Sequence, residues 1–364
     1  MKIELKQVLY PQPKSKIKAS DGKSEGKYKF FTSSPMQTRF IDEANYDKPS
    51  LIFGTGGNAS VHFCDEPFST STDCLVMYGR NKIELESIYN YLKGNISLLE
   101  HGFKGAGLKH ISKDYILAIE IELPSEAMQH EFLQKNQIVD EIIEAKRTQL
   151  LLSEDLVKSR FIEMFGTLSC NEHHYPMCAL KYACRKITDG KHGGCEQEYN
   201  SGYYYVGARE IYDGEIHYGT APQIVRGDFE KDYRRCNIEQ GDFVLVNTGT
   251  TIGKSAIAKH PLTERTLLQK SVAMFKVKTE LISAVFLKCC YDANPEMYTV
   301  KSASAQPNLL LSRINSTQIY LPPIELQRQF AAFVEQVDKS KFEIQQSLEK
   351  LEILKKSLMQ QYFG

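Results

Sequence analysis

Apolar side chains recur every seven residues in the C-terminal part of the chain. The recurring positions, with one further apolar residue between them, are Val337, Ile344, Leu348, Leu351 and Leu358. A shorter form of the same pattern stands earlier, at Val139, Ile143, Leu150 and Val157. An apolar residue at every seventh position forms a narrow stripe along a helix, which is typical of helices that pack as a coiled coil. The pattern therefore predicts two helices with matching apolar stripes.

The two patterned segments are copies of one another. Residues 123–166 and 321–364 align without a gap, each second position lying 198 residues after the first. The shared positions are Leu123/Leu321, Pro124/Pro322, Gln129/Gln327, Phe132/Phe330, Val139/Val337, Asp140/Asp338, Leu150/Leu348, Leu156/Leu354 and Gly166/Gly364. Proline suits a first helical turn and glycine a C-terminal cap, and after Pro124 or Pro323 neither residue occurs before the final glycine. Each copy is predicted to be one helix of about 60 Å, at about 1.5 Å rise per residue.

Neither apolar stripe is wide enough for a helix that is buried all round. The economical arrangement packs the two stripes against each other, as in a coiled coil. The alternative is a pair of ordinary surface helices on a globular core. Their length and the absence of helix breakers argue against that alternative.

The segments between these helices predict mixed α/β domains. Short strand-like runs separated by Asp-Gly and Gly-Asp turns occur at residues 28–32, 50–53, 60–64, 73–78, 202–206, 242–246 and 271–277. Helical stretches near 83–99 and 281–293 precede a strand in each half. The predicted plan is a domain at 1–122, a helix at 123–166, a domain at 167–320 and a helix at 321–364. The fold class is α/β, with an internal repeat.

Length and composition fit a globular protein of two or three domains. The chain has 364 residues, of which 42% are hydrophobic and 25% charged. No apolar run approaches the ~20 residues that cross a bilayer, and the first residues lack the apolar core of a signal peptide. We therefore expect a cytoplasmic protein without membrane contact.

The cysteines predict neither a disulfide framework nor a metal site. They are odd in number, nine, and none stands in a C-x-x-C pair. A cluster with two histidines suggests zinc, at Cys170, His173, His174, Cys178, Cys184 and Cys195. Structural zinc sites usually have close cysteine pairs, so scattered reduced thiols are the favoured interpretation and no metal ligand is assigned.

Basic residues are clustered locally although the net charge is zero. A neutral total argues against a protein that simply coats a polyanion, but not against one with a basic face. One cluster is Lys14, Lys16, Lys18 and Lys23, and a second, assigned to another loop, is Arg226, Lys231, Arg234 and Arg235. Loops of this chemistry hold phosphates and read base edges, although most basic clusters are simply solvated surface.

Two glycine-rich segments resemble nucleotide-binding loops without satisfying the motifs. Residues 248–255 (TGTTIGKS) have a glycine one position too close to Gly253 for a P-loop, and no helix pattern follows. Residues 53–58 (FGTGGN) lack the third glycine of a dinucleotide loop. Tight turns between strands are the simplest interpretation. The functional alternative is close backbone approach to DNA, with Gly56, Asn58, Thr250 and Lys254 as candidates.

The sequence predicts no catalytic residue. It has no Asn/Asp-Pro-Pro-aromatic loop of an adenine methyltransferase, since its one Pro-Pro pair, Pro322-Pro323, begins a helix. It also lacks a Gly-x-Ser-x-Gly elbow, and its histidines are scattered. A methyltransferase or a fused restriction-methylation enzyme is therefore disfavoured.

Taken together, the chain resembles the specificity subunits of type I restriction-modification systems. The resemblance is carried by the two Leu-Pro-initiated helices with Gln129/Gln327 and Phe132/Phe330. It is also carried by the segments 26–34, 52–62, 68–73, 187–192 and 241–254, in this order. It implies two target recognition domains joined by two long spacer helices that pack antiparallel, with approximate two-fold symmetry.

That resemblance also implies a function. Each domain would read one half of a bipartite site in double-stranded DNA, with half-sites about one helical turn apart. The helices would dock two modification methyltransferase subunits, which use S-adenosylmethionine to methylate adenine N6 on a flipped-out base. Restriction endonuclease and translocase subunits would join for cleavage. This chain would bind no cofactor itself.

Individual base contacts do not follow from the resemblance, so the candidates rest on local chemistry. They are Lys14, Lys16, Lys18, Lys23, Gly56, Asn58, Lys104, Lys109, Lys191, His192, Arg226, Arg234, Arg235, Thr250, Lys254 and Lys301. The competing hypothesis is a scaffold that bridges proteins through its helices and binds no DNA.

Overall fold

The computed structural model describes residues 2–105, 109–299 and 307–364. Within it the chain divides into two compact units. The first unit comprises Met1–Thr148 and Gln345–Gly364, and the second comprises Gln149–Ile344. Each long helix therefore contributes residues to both units.

In order along the chain, the first half contains nine described strands and four described α-helices. The strands are β1 Lys2–Glu4, β2 Tyr10–Pro11, β3 Tyr28–Phe31, β4 Arg39–Ile41, β5 Ser50–Gly54, β6 Ser60–Cys64, β7 Phe68–Thr70, β8 Cys74–Tyr78 and β9 Glu120–Glu122. The helices are α1 Lys82–Gly94, α2 Ser97–Glu100, α3 Lys113–Leu117 and α4 Glu126–Phe165.

The second half repeats this succession with some additions. Its strands are β10 Met177–Ala179, β11 Cys184–Asp189, β12 Tyr204–Val206, β13 Ile211–Tyr212, β14 Glu215–Ile216, β15 Phe243–Val246, β16 Ser255–Ile257, β17 Thr266–Leu268, β18 Val272–Val277 and β19 Gln318–Tyr320. Its helices are α5 Leu180–Ala183, α6 Arg226–Cys236, α7 Ala284–Ala293, α8 Leu311–Ser316 and α9 Ile324–Phe363.

Both units are built on the same four-stranded antiparallel sheet. The strand order is β2-β8-β5-β6 in the first unit and β11-β18-β15-β16 in the second. Each unit also has a parallel pair, β3 with β7 and β12 with β17. A short antiparallel pair, β1 with β9 and β10 with β19, closes each unit before its long helix. The predicted α/β fold with an internal repeat is thus confirmed, and the repeat includes the domains.

The central strands of these sheets are buried on both faces. In β5, Leu51 and Phe53 face one apolar cluster with α1, whereas Ile52 faces another. In β15, Phe243 and Leu245 pack towards α7, whereas Val244 and Val246 enter a second cluster. Such strands show continuous apolar runs instead of alternation, because neither face meets solvent.

The long helices begin later than the sequence pattern predicts. Pro124 and Pro322 lie before the first turn, since the helices start at Glu126 and Ile324. The buried side chains of Gln129 and Gln327 explain the difference. Each Nε2 donates a hydrogen bond of 2.9 Å to the carbonyl oxygen of its proline, Pro124 or Pro322. In each case a side chain in the first turn of the helix thus fixes the backbone that leads into the helix.

The glycines at the helix ends have the predicted capping conformation. Gly166 has φ +73° and Gly364 has φ +90°. Their backbone N–H groups donate to Ile162 O and Gln360 O, at 2.7 and 3.0 Å. A left-handed glycine after the last turn is the usual way to satisfy helix carbonyls.

Within each unit the two helices pack antiparallel. In the first unit Phe132 contacts Phe363, and Asp140 on α4 forms an ion pair with Lys355 on α9. In the second unit Phe165 contacts Phe330, and the Glu154 carboxylate lies 3.2 Å from the Lys341 ammonium. Partner numbers fall along α9 as they rise along α4, which is the antiparallel arrangement that the family resemblance implies.

The residues of the predicted stripes are covered to different degrees. Five of them are buried: Val139, Ile143, Val337, Leu348 and Leu358. The others are half-buried: Leu150, Val157, Ile344 and Leu351. Stripe residues on both helices are thus largely removed from solvent.

Candidate nucleic-acid interface

In each unit a glycine-rich loop leaves one end of the four-stranded sheet. In the first unit β5 ends at Gly54, opposite Cys74 at the start of β8, and β6 begins at Ser60. In the second unit Val246 at the end of β15 is paired with Val272 at the start of β18. We call this the loop end of each sheet. The two glycine loops are residues 55–59 and 247–254.

Each glycine loop is hydrogen-bonded to a later segment of its unit, which precedes the last strand before the long helix. The Ile111 N–H donates to Thr55 O at 3.2 Å, and the Leu309 N–H donates to Asn247 O at 2.7 Å. Positions 111 and 309 are 198 residues apart, the same interval that separates the helices. The loops are therefore equivalent parts of the repeat.

The first glycine loop brings together candidates that are distant in sequence. Gly56 forms a β-bridge with His110, and Lys104 forms another with the same residue. The His110 ring Nδ1 also lies 3.1 Å from Thr55 O. Exposed side chains around these bridges include Asn58, Lys104 and Lys109. His110 is not among the candidates predicted from the sequence, although His110 and Asn308 occupy one repeat position.

The segment after β2 adds further cations to the loop end. Its backbone runs antiparallel to the start of β8, since Gln12 N donates to Val76 O and Thr72 N donates to Ile17 O. Lys14, Lys16 and Lys18 are exposed along this segment. Lys23 lies apart from them, against β4, where its ammonium is 2.7 Å from the Asp42 carboxylate.

The second glycine loop is a turn between strands. Thr248 forms a β-bridge with Asn308, and Gly249 N donates to Pro307 O at 3.0 Å. Lys254 is followed directly by the strand β16 and not by a helix, as the sequence predicts. Thr250 and Lys254 are exposed. Lys301, also a candidate, lies outside the described residues.

The basic cluster at 226–235 was assigned to a loop, and this was wrong. Arg226–Cys236 is the helix α6, which buries Phe229 and Cys236 against the sheet. The spacing of Phe229, Tyr233 and Cys236 gives one apolar face and was the available signal. The many charged residues of this segment make the apolar face difficult to recognise in the sequence.

Helix α6 meets the end of β11 at the loop end of the second sheet. The Arg235 Nη2 donates to Asp189 Oδ1 at 2.5 Å, and its Nε donates to Asp189 O at 3.2 Å. The His192 Nε2 lies 3.3 Å from Asp189 Oδ2 and 3.2 Å from Arg235 Nη2. The candidates His192 and Arg235 are thus neighbours, joined by a carboxylate that the sequence analysis did not single out.

The remaining basic candidates of this region differ in how far their side chains are exposed and so able to contact a ligand. The Lys191 ammonium is 2.7 Å from the Asp232 carboxylate and its side chain is only 14% exposed. That ion pair holds the β11 end against α6. Arg226 pairs with Glu230 one turn along its own helix and stays exposed, as does Arg234.

No cysteine is joined in a disulfide: all nine are free thiols. Burial raises the pKa of several of them, to about 11 for Cys74 and Cys236 and to about 12 for Cys184. Within the described ranges no group of three His, Cys, Asp or Glu side chains could hold a metal ion. No helix among those same residues has the length and apolar character of a membrane span.

Comparison with known proteins gives a family and a fold. The family described as Type I restriction modification DNA specificity domain matches residues 1–152 and 186–355. The chain is similar to the S subunit of a type I restriction-modification system from M. genitalium, at 17% identity and TM-score 0.61, covering 100% of this chain and 96% of that one. A search of curated proteins gives no match.

A second solved structure, from work on complex assembly and conformational transition of the type I R-M system, gives a similar result. Its identity is 14% and its TM-score 0.61, with 100% of this chain and 97% of that chain covered. At these identities the two structures bear on the fold alone, and both agree with the doubled architecture.

Proposed function

Because this chain belongs to the type I restriction modification DNA specificity family, we propose that it selects the DNA sequence on which a restriction-modification complex acts. Each unit recognises one half of a bipartite target in double-stranded DNA. The observation that carries this proposal is the repeated loop end, where equivalent glycine loops are surrounded by exposed cations. A loop that brings backbone close to a ligand, beside lysines, suits contact with DNA phosphates.

Neutral net charge is compatible with this function. Salt-dependent affinity for DNA comes from the cations that face the phosphates and not from the total charge of a chain. In the first unit, Lys14, Lys16, Lys18, Lys104 and Lys109 are exposed at or near one sheet end. Partner subunits would supply the rest of the neutralising charge.

The partners in this proposal are two modification methyltransferase subunits, joined by restriction endonuclease and translocase subunits. Large apolar side chains on the long helices support docking of other proteins there. In the second unit those that are more than half accessible are Leu151, Leu152, Leu156 and Phe342. Exposed apolar groups of this size are typical of interaction surfaces when they are grouped. One solved relative comes from work on assembly of the type I R-M system.

The chemistry in this proposal belongs to the partners. The methyltransferase subunits bind S-adenosylmethionine and methylate adenine N6, and this chain catalyses nothing. An S-adenosylmethionine binding assay on the isolated chain should give no signal. Binding would instead favour an enzyme with its own methylation centre.

The decisive experiment is to map N6-methyladenine in DNA from cells that express this chain with its methyltransferase. One split motif should appear. Replacing residues 167–320 by the corresponding domain of another family member should change one half of that motif and leave the other half unchanged. If a single domain defines the whole motif, the proposal fails.

The scaffold hypothesis is distinguished by the reconstituted complex. A DNA-recognition subunit gives sequence-selective binding whose affinity falls steeply with salt. A scaffold gives a complex with no preference among DNA sequences. No observation in the structure favours the scaffold over the recognition function.

A further inference from the structure

The loop end of the second sheet carries an arginine whose orientation is fixed by a nearly buried carboxylate. Asp189 is the last residue of β11 and its side chain is only 10% exposed. It accepts from Arg235 twice, through Oδ1 from Nη2 and through its backbone oxygen from Nε. Two hydrogen bonds on one edge of a planar guanidinium fix its plane as well as its position.

His192 completes the support of this arginine. Its Nε2 lies within hydrogen-bond distance of Asp189 Oδ2, so the Nε2–H tautomer donates to the oxygen that Arg235 leaves free. The same ring nitrogen stands beside Arg235 Nη2. Carboxylate and imidazole therefore confine the guanidinium from one side.

The Nη1 end of the guanidinium is open. The Arg235 side chain is 45% exposed, and its Nη1 has no hydrogen-bond partner among the described residues. With its proton on Nε2, His192 cannot accept from Nη2, so both N–H groups of Nη1 and one of Nη2 remain as donors in a fixed plane at the loop end. Two parallel donors of this kind match O6 and N7 of guanine in the major groove.

A base edge fits this arginine better than a phosphate does. Asp189 offsets the positive charge of Arg235, which weakens its long-range attraction to phosphate but leaves the geometry of its donors intact. Phosphate contacts need charge more than a fixed plane, and the exposed Arg234 on the same helix already supplies charge. A preorganised fork also loses little side-chain entropy on binding.

We propose that Arg235 reads a guanine in the half-site recognised by the second unit, with Asp189 and His192 as positioning residues. This inference rests on the proposed function and deepens it. It specifies one base type, one groove and one half of the target.

The test compares Arg235→Lys with Arg234→Lys in the reconstituted methyltransferase complex. Both substitutions keep the charge, but only the first removes a held guanidinium fork. Arg235→Lys should reduce discrimination at one G·C pair of one half-site by about 10- to 100-fold. Arg234→Lys should leave the mapped motif unchanged. Thermal unfolding of both variants checks that each is folded.

Base analogues give an independent measurement. Replacing single guanines of the mapped target by 7-deazaguanine removes the N7 acceptor. The unsubstituted complex should lose affinity at one position, and the Arg235→Lys complex should be insensitive there. Asp189→Asn should give a partial loss of affinity at that same position, because Arg235 keeps its guanidinium but loses the charged carboxylate that orients it.

The outcomes separate this inference from the function on which it rests. If the unsubstituted complex modifies no split motif, the proposed function fails. If the motif exists but Arg235→Lys leaves it unchanged, only the guanine assignment fails. If Arg235→Lys weakens every DNA sequence equally, Arg235 contacts phosphate and the assignment is overturned.

Discussion

The ring of Phe132 meets the ring of Phe363 nearly edge to face, with centroids 5.1 Å apart and an interplanar angle of 85°. The positions 198 residues away repeat this contact: Phe330 meets Phe165 at 5.4 Å and 83°. In each unit the start of one long helix is thus joined to the end of the other by buried aromatic rings. The repeat in the sequence is thus matched by a repeated contact between the two helices.

We expect Phe132→Ala and Phe330→Ala each to lower the free energy of unfolding by about 3–5 kcal/mol, because both rings are fully buried. Phe342→Ala on α9 is the control. Its ring is 65% exposed, and the change should be within about 0.5 kcal/mol. Urea unfolding of the three variants measures the difference. Equal losses for buried and exposed rings would contradict the helix contacts described.

Two glycines in the second glycine loop should respond differently to alanine. Gly249 and Gly253 both have φ +99°, but of the two only Gly253 faces a neighbour among the described residues, with Tyr298 Cε2 2.3 Å from where a Cβ would stand. Gly249→Ala should cost about 1–2 kcal/mol from backbone strain alone. Gly253→Ala should cost a further 1–3 kcal/mol or so from the clash. Denaturant midpoints of the two variants test this order.

Lysine substitutions at the first loop end should change the salt dependence of DNA binding. Lys104→Gln should weaken binding to all sequences alike and reduce the slope of log affinity against log salt by about 1. Lys339→Gln, on α9, is the matched control and should leave the slope unchanged. Titrations of the reconstituted complex at several salt concentrations give both slopes. A change of sequence preference in Lys104→Gln would instead indicate a base contact.

The ion pair of Lys276 and Asp242 makes a prediction about pH. Burial raises the pKa of the Asp242 carboxyl, and the Lys276 ammonium, 2.8 Å away, partly offsets this effect. Lys276→Met would leave the ionised carboxylate nearly buried and unpaired, at a cost of about 3–5 kcal/mol near neutral pH.

The direction of the pH effect follows from linkage. A carboxyl whose pKa is higher in the folded than in the unfolded state binds protons preferentially when folded. The penalty in Lys276→Met is therefore present at neutral pH and decreases as pH falls through the raised pKa towards the unfolded value. Unfolding free energies across that range measure it. Adding Asp242→Asn should restore stability and remove the pH dependence, whereas a variant equally unstable at all pH values would contradict the cause given.

Local patterns in the sequence predicted the helices and the repeat. The seven-residue apolar stripe and the interval of 198 residues are properties of single helices, so they are visible without knowledge of partners. The strands near residues 50–54, 60–64 and 243–246 were also predicted, because buried strands are apolar runs between turns. The helix starts were misplaced, since only the fold shows Gln129 and Gln327 holding the prolines outside.

The sequence by itself thus determined two stripe-bearing helices, two mixed domains and the class of protein. Only the tertiary structure decided that both domains share one strand order and that Arg235 is held by a residue 46 positions away. The physical reason is that sheet neighbours and ion-pair partners meet through folding of distant segments. Periodicity indicates which face of a helix or strand is buried. It does not indicate which residues will contact that face or pair with the charged residues beside it.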